Sequence, residues 1–239
     1  MLWLRGDYGP AQVLAEQAVA VCRRLYPEAR YPQGHAELAS CLNDLGVLSH
    51  NRGQLAEAIP FLEAELKRWH GSSIRTRIQK NIHLLSLEGK PAPPLDLASW
   101  LGPKPPSPAE WKGKVVLLFF WAHWCGDCKQ QAAALMRVQR EYGPRGLVLV
   151  GPTRRYGYVA RGADASPEEE LRYIAEVRES FYAGLQMAVP VSEENFEVWG
   201  CSTTPTLALL DRAGKVRLYH PGRMSYEQLA PLVAEALEK

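Results

Sequence analysis

The stretch Val115-Val116-Leu117-Leu118-Phe119-Phe120-Trp121-Ala122-His123-Trp124-Cys125-Gly126-Asp127-Cys128-Lys129 decides the fold. Its first six residues form an unbroken apolar run, the pattern of a strand buried on both faces. Two cysteines three apart follow, and a helix is expected from about Cys125 to Tyr142. At a helix start that spacing places the two thiols across one turn. The free N–H groups there favour a thiolate on the first. Cys125 is therefore expected to be a nucleophile near the surface. Cys128, one turn further in, is expected to attack the mixed disulfide and release the substrate. Half a zinc site and a structural pair without turnover are the alternatives. No second CxxC and no closely spaced His pair supports zinc.

Downstream, Gly146 to Gly151 reads as a second buried strand, and Ser166-Pro167-Glu168-Glu169-Glu170 as a helix start. Ser caps, Pro suits the first turn, and the acids face the positive end of the dipole. Thr206–Leu210 and Lys215–Tyr219 read as strands joined by the turn Asp211-Arg212-Ala213-Gly214, and Tyr226–Leu237 as a closing amphipathic helix. Strands alternating with helices give an α/β layered domain. The loop Thr153-Arg154-Arg155-Tyr156-Gly157-Tyr158 falls at the same sheet edge as Cys125, either as a solvated loop or as a grip on a substrate or partner. Thr203-Thr204-Pro205-Thr206 sets a proline at a strand entrance, which is unusual unless its bond is cis or the strand begins there.

Upstream the period changes. Ala11–Leu25 and Ala56–Leu66 are Ala/Leu-rich helical runs, each preceded by a glycine, Gly6 and Gly53, and Leu38, Cys41, Leu42, Leu45 and Leu48 recur at helical spacing between them. A further helix is expected over 73–87, with Ile74, Ile78, Ile82 and Leu85 on one face. Gly89-Lys90-Pro91-Ala92-Pro93-Pro94 ends the helical part. The expected division is helical repeats over 1–72, a capping helix and linker over 73–90, and an α/β domain over 91–239.

The Trp-Cys-x-x-Cys after a strand, the distant Thr204-Pro205 before another, and the β-turn-β-helix ending resemble the thioredoxin superfamily. The Ala92-Pro93 lead, Lys112-Gly113-Lys114 before the strand, and an insertion of roughly 30 residues after the second strand are most similar to its TlpA-like branch. The resemblance implies an α/β thioredoxin-like domain, a central mixed sheet flanked by helices. It implies a thiol–disulfide oxidoreductase that exchanges disulfides with protein substrates and takes electrons from an upstream donor, with no cofactor and no metal. It also implies that Thr204-Pro205 is cis, sits beside the CxxC, presents backbone to the substrate chain and keeps metals from the thiols. Trp124 is read as an exposed apolar platform and Trp121 as core. The segment Leu42-Asn43-Asp44-Leu45-Gly46, Gly53, Ala58 and Leu62 resembles the tetratricopeptide repeat, which implies a protein partner on an all-α repeat domain; a plain helical bundle is the alternative. The first helix of an earlier repeat would fall before Met1, so the chain is expected to be a piece of a longer one.

Two departures from the superfamily pattern matter. Asp127 stands where Pro is usual. Phe119 and Gln131 stand where a carboxylate near the buried cysteine is usual, and neither titrates. Asp127 or His123 is then the candidate proton carrier, although an ordinary surface position is the simpler reading of His123. The charge of Asp127 should raise the Cys125 thiol pKa and favour the reductase direction. Two other functions compete: a repeat adaptor with a vestigial redox site, and a peroxiredoxin, which requires Thr where this chain has Ala122.

Of the 239 residues, 28 are Lys or Arg and 26 Asp or Glu, a net charge of +2 that argues against a nucleic-acid face. No apolar run reaches the roughly 18 residues of a membrane span, and MLWLRGDYGP lacks the apolar core of a signal peptide. The resemblance favours an extracytoplasmic compartment. The five cysteines are too few for a disulfide scaffold. Cys201 is read as an inert, partly buried thiol, and Cys22 and Cys41 as packed thiols rather than a bridge.

Overall fold

The computed structural model describes residues 8–26, 75–105, 107 and 110–238, with positions 30, 41, 44 and 63 besides. The chain forms two compact units, residues 1–86 and 87–239.

In the first unit, α1 spans Tyr8–Leu25 and α2 spans Arg75–Ser86. Ile78 and Ile82, one turn apart on α2, are buried. Cys22 Sγ and Cys41 Sγ lie 3.5 Å apart, half-buried and not joined as a disulfide, in line with packing rather than a bridge. The repeat helices expected near 38–48 and 56–66 fall outside the described residues.

The second unit is a six-stranded mixed sheet: β1 Trp100–Leu101, β2 Val115–Phe120, β3 Leu147–Val150, β4 Met187–Pro190, β5 Thr206–Leu210 and β6 Val216–Pro221, in the order β1-β4-β3-β2-β5-β6. β2, β3 and β4 run parallel; β1, β5 and β6 pair antiparallel with their neighbours. The helices are α3 Gly126–Tyr142, α4 Pro167–Tyr182, α5 Glu193–Val198 and α6 Tyr226–Glu238. The Ser166 cap is a full capping box: the Ser166 hydroxyl accepts from Glu169 N–H, and the Glu169 carboxylate accepts from Ser166 N–H.

β2 is the centre of the domain, and all six of its residues are buried. Its side chains alternate between two cores. Val115, Leu117 and Phe119 face one core with Leu135 and Val138 of α3, Ile174 and Val177 of α4, and Leu229 and Val233 of α6. Val116, Leu118 and Phe120 face the other, with Phe196, Trp199 and Tyr219. Truncating Phe119 to Ala would cost about 3–5 kcal/mol. The sequence pattern missed β1, β4 and α5. β1 and β4 have only two and four residues, too short to show a period, and α5 is under two turns.

Candidate functional site

Every element at the carboxyl end of β2 is fixed by a named contact. Trp121 is fully buried; its indole N–H donates to Gly151 O at 2.9 Å, and its backbone N–H donates to Pro152 O. Thr153 Oγ1 donates to Trp121 O at 2.8 Å. The chain leaving β3 is thus tied to the chain leaving β2.

Cys125 is the N-cap of α3, with extended backbone (φ −75°, ψ 111°), and its Sγ accepts from Cys128 N–H at 3.0 Å. This is the helix-start hydrogen bond that stabilises a sulfur anion. Cys125 and Cys128 are joined as a disulfide, with Cα atoms 5.2 Å apart. The Thr204–Pro205 bond is cis, and Thr204 O lies 3.4 Å from Cys125 Sγ, placed to accept from the reduced thiol. Cys125 is 3% exposed and Cys128 0%. Both sulfurs are therefore buried, which corrects the near-surface position expected of Cys125: the disulfide joins it to the enclosed Cys128, and the Thr204 carbonyl stands against its sulfur. Trp124 is 50% exposed beside it.

The residues at the usual carboxylate positions are spoken for. Phe119 packs edge-on against Tyr182 with ring centres 5.8 Å apart. Gln131 is buried and hydrogen-bonds the backbone of Met224. Asp127 is open to solvent, with Arg223 Nε 3.5 Å away.

His123 corrects the surface reading. It is fully buried, and its Nε2 lies 3.1 Å from Glu170 Oε1, itself 1% exposed. Facing a carboxylate, Nε2 carries the proton and donates. Nδ1 is then a bare lone pair, buried and without a hydrogen-bond partner among the described residues. Burial holds the imidazole below its ordinary range, and the Glu170 hydrogen bond opposes this only in part. Tyr156, Tyr158 and Tyr173 stand edge-on around the ring at 5.5, 5.4 and 5.3 Å. Sequence reasoning missed Glu170, Tyr156, Tyr158 and Tyr173 as neighbours of this site. Cys201 is buried, and burial pushes its thiol well up, so it stays protonated. Among the described residues no group of three or more His, Cys, Asp or Glu could hold a metal ion.

A helix-capping disulfide set against the Thr204 carbonyl of a cis-prolyl bond, on a mixed sheet, defines a thioredoxin-like dithiol protein. The chain belongs to the Redoxin family, whose model matches residues 87–234. A tetratricopeptide-repeat model matches residues 38–69. The chain is similar to the thioredoxin-like protein YneN of Bacillus subtilis, 29% identical over 144 residues, 59% of this chain and 76% of that protein. It is similar to the thiol-disulfide oxidoreductase ResA of Bacillus thuringiensis, 26% identical over 120 residues, 50% of this chain and 62% of ResA. It is also similar to the thiol:disulfide interchange protein DsbE of Pseudomonas aeruginosa, 26% identical over 159 residues, 64% of this chain and 79% of DsbE. A solved thiol-disulfide isomerase from Corynebacterium glutamicum shares the fold, with TM-score 0.50 and 19% identity over 61% of this chain and 95% of that one.

Proposed function

We infer that the protein is a thiol–disulfide oxidoreductase that exchanges disulfides with protein substrates through Cys125 and Cys128. The observation that carries this is the Cys125–Cys128 disulfide at the N-terminus of α3, facing the Thr204 carbonyl. In the reductase direction, the Cys125 thiolate attacks one sulfur of a substrate disulfide, and the other sulfur leaves as a thiolate. Cys128, deprotonated, attacks Cys125 Sγ and expels the second substrate sulfur. Two electrons pass to the substrate, and the protein is left as the disulfide seen here. An external dithiol donor then restores it.

Thr204 O accepts the thiol proton's hydrogen bond before attack, Trp124 offers apolar contact to the substrate chain, and Pro205 presents backbone to it. The peroxiredoxin alternative lacks its hydroxyl, since Ala122 is buried at the position concerned. The repeat match over 38–69 supports a protein partner for the first unit. Among the described residues no helix is long and apolar enough to cross a membrane. We place the activity in an extracytoplasmic compartment, which the TlpA-like resemblance favours.

The test is reduction of insulin disulfides by the chain with dithiothreitol. Cys125→Ser should abolish it, and alkylation of the reduced protein should modify Cys125 before Cys128. Full activity in Cys125→Ser overturns the assignment.

A further inference from the structure

Glu170 sits in the first turn of α4, where Glu168 and Glu169 already face solvent and Glu169 completes the capping box. The dipole therefore accounts for the two exposed acids, but not for burying a third. A carboxylate taken out of water costs several kcal/mol unless donors replace the water. Glu170 has three. His123 Nε2–H reaches Oε1, Tyr156 N–H reaches the same oxygen, and Gly157 N–H reaches Oε2 at 2.8 Å. Gly157 has φ +83°, a conformation that other residues rarely adopt. All three donors belong either to the stretch next to Cys125 or to the insertion after β3. The buried pair is thus a clamp between them.

The clamp holds a specific surface. Tyr156 stands edge-on to the exposed Trp124, ring centres 5.6 Å apart, and Tyr158 follows at 6.2 Å from Tyr156. Arg154 lies over the Tyr156 ring at 4.6 Å and is paired with Glu193. Arg155 beside it is exposed. The other end of the segment is fixed as well: Thr153 is buried, its N–H donates to Pro190 O, and its carbonyl accepts from Ser192 N–H. An aromatic row that begins one residue before the nucleophile, followed by an exposed cation, Arg155, with no ion pair among the described residues, suits a polypeptide of matching chemistry.

We propose that the segment Thr153–Tyr158, clamped by the His123–Glu170 pair, is a recognition ledge for an extended cysteine-bearing peptide with an aromatic side chain beside its cysteine and acidic residues next to that. The aromatic side chain lies on Trp124 and Tyr156, and the acids face Arg155. His123 and Glu170 are positioning residues that act through the ledge. The proposal rests on the oxidoreductase reading and names its substrate class.

The test uses the reduced chain and two synthetic peptides, each a mixed disulfide with 2-nitro-5-thiobenzoate, whose release is coloured. One peptide carries phenylalanine and two glutamates beside its cysteine; the other carries alanine and two lysines. Cys125 attacks the peptide sulfur and thionitrobenzoate leaves; Cys128 then attacks Cys125 and frees the peptide thiol. Each chain reacts once, so the rate of colour release is read in single turnover with peptide in excess. The expected result is a half-saturating concentration, the KM of this assay, at least 10-fold lower for the first peptide. Arg155→Glu should shrink that ratio at least 5-fold, and Glu170→Gln about 3- to 10-fold, with the loss falling on KM. The reduction potential of Glu170→Gln against glutathione should match the parent's. Equal KM values in the parent chain overturn the ledge, as does an unchanged ratio in the exposed, fold-neutral Arg155→Glu. A shifted potential in Glu170→Gln means that the pair acts on the sulfurs instead and also overturns it. If the parent chain releases thionitrobenzoate from neither peptide, the oxidoreductase reading itself fails, and the ledge with it.

Discussion

Gln131 and Met224 exchange two hydrogen bonds: the Gln131 amide donates to Met224 O, and Met224 N–H donates to the Gln131 oxygen, both at 2.9 Å. The side chain thereby acts like a strand neighbour and pins the chain before α6 to the redox helix α3. Gln131→Glu keeps the shape but sets a second oxygen against the Met224 carbonyl unless the acid is protonated. Burial and that contact raise the new carboxyl's pKa above the ordinary value of about 4.3. The folded state then holds its proton more tightly than the unfolded state. Stability is best retained below about pH 4.3 and is lost as pH rises through the raised value. A loss of about 1–3 kcal/mol is expected at pH 7. Urea unfolding at pH 4 and pH 7, each compared with the parent chain, measures it; equal losses at both would contradict the argument.

His123 predicts the opposite slope. Its folded-state pKa lies below the ordinary imidazole value of 6.5. As pH falls below 6.5 the unfolded chain takes up a proton before the folded one does, so stability drops through that window. Above it, the contribution of the neutral ring is complete. The slope is at most about 1.4 kcal/mol per pH unit. His123→Phe should remove it. Guanidinium unfolding from pH 7.5 to 5.5 gives the comparison, and parallel profiles for the two proteins would show that His123 does not titrate in folding.

Tyr182 presents a different imbalance. Its ring packs against Phe119 and Trp121, while its hydroxyl is buried without a hydrogen-bond partner among the described residues. A buried unpaired hydroxyl costs about 1–3 kcal/mol, so removing it while keeping the ring should be neutral or stabilising. Tyr182→Phe is expected to raise Tm or leave it unchanged. A fall of several degrees would mean that the hydroxyl has a partner.

The parts of this domain that could be read from sequence are those where a local rule and the tertiary structure agree. Val115–Phe120 is apolar throughout because both faces are covered, and Cys125 caps the helix that its spacing to Cys128 implied. Ser166 to Glu170 satisfies every local rule for a helix start, and those rules give no sign that Glu170 is buried. Its burial depends on His123, 47 positions away, and on two N–H groups of a loop with no periodicity. His123 itself looked exposed because nothing near it in sequence covers it; the insertion does. β4 is hard to read because Met187-Ala188-Val189-Pro190 is short and ends in proline, which is tolerated there because its missing donor falls beyond the last β3–β4 pair, Val150 with Ala188.

Asp127 bears on the direction of the redox reaction. A carboxylate two residues after Cys125 disfavours a second negative charge, so it is expected to raise the thiol pKa, destabilise the dithiol form and make the pair more reducing. Arg223, 3.5 Å from the carboxylate, offsets part of this, and solvent screens more, since the Asp127 side chain is 63% exposed. An exposed interaction of about 0.5 kcal/mol corresponds to about 10 mV for a two-electron couple. Asp127→Asn is therefore expected to move the potential about 10 mV toward oxidising values. Arg223→Ala should move it the other way, because it removes a cation and leaves the carboxylate unopposed. Equilibration with glutathione, read by thiol alkylation and mass spectrometry, resolves both signs. If Asp127→Asn leaves the potential in place but slows insulin reduction, Asp127 carries the proton from the thiol instead. If the potential becomes more negative, the electrostatic argument fails.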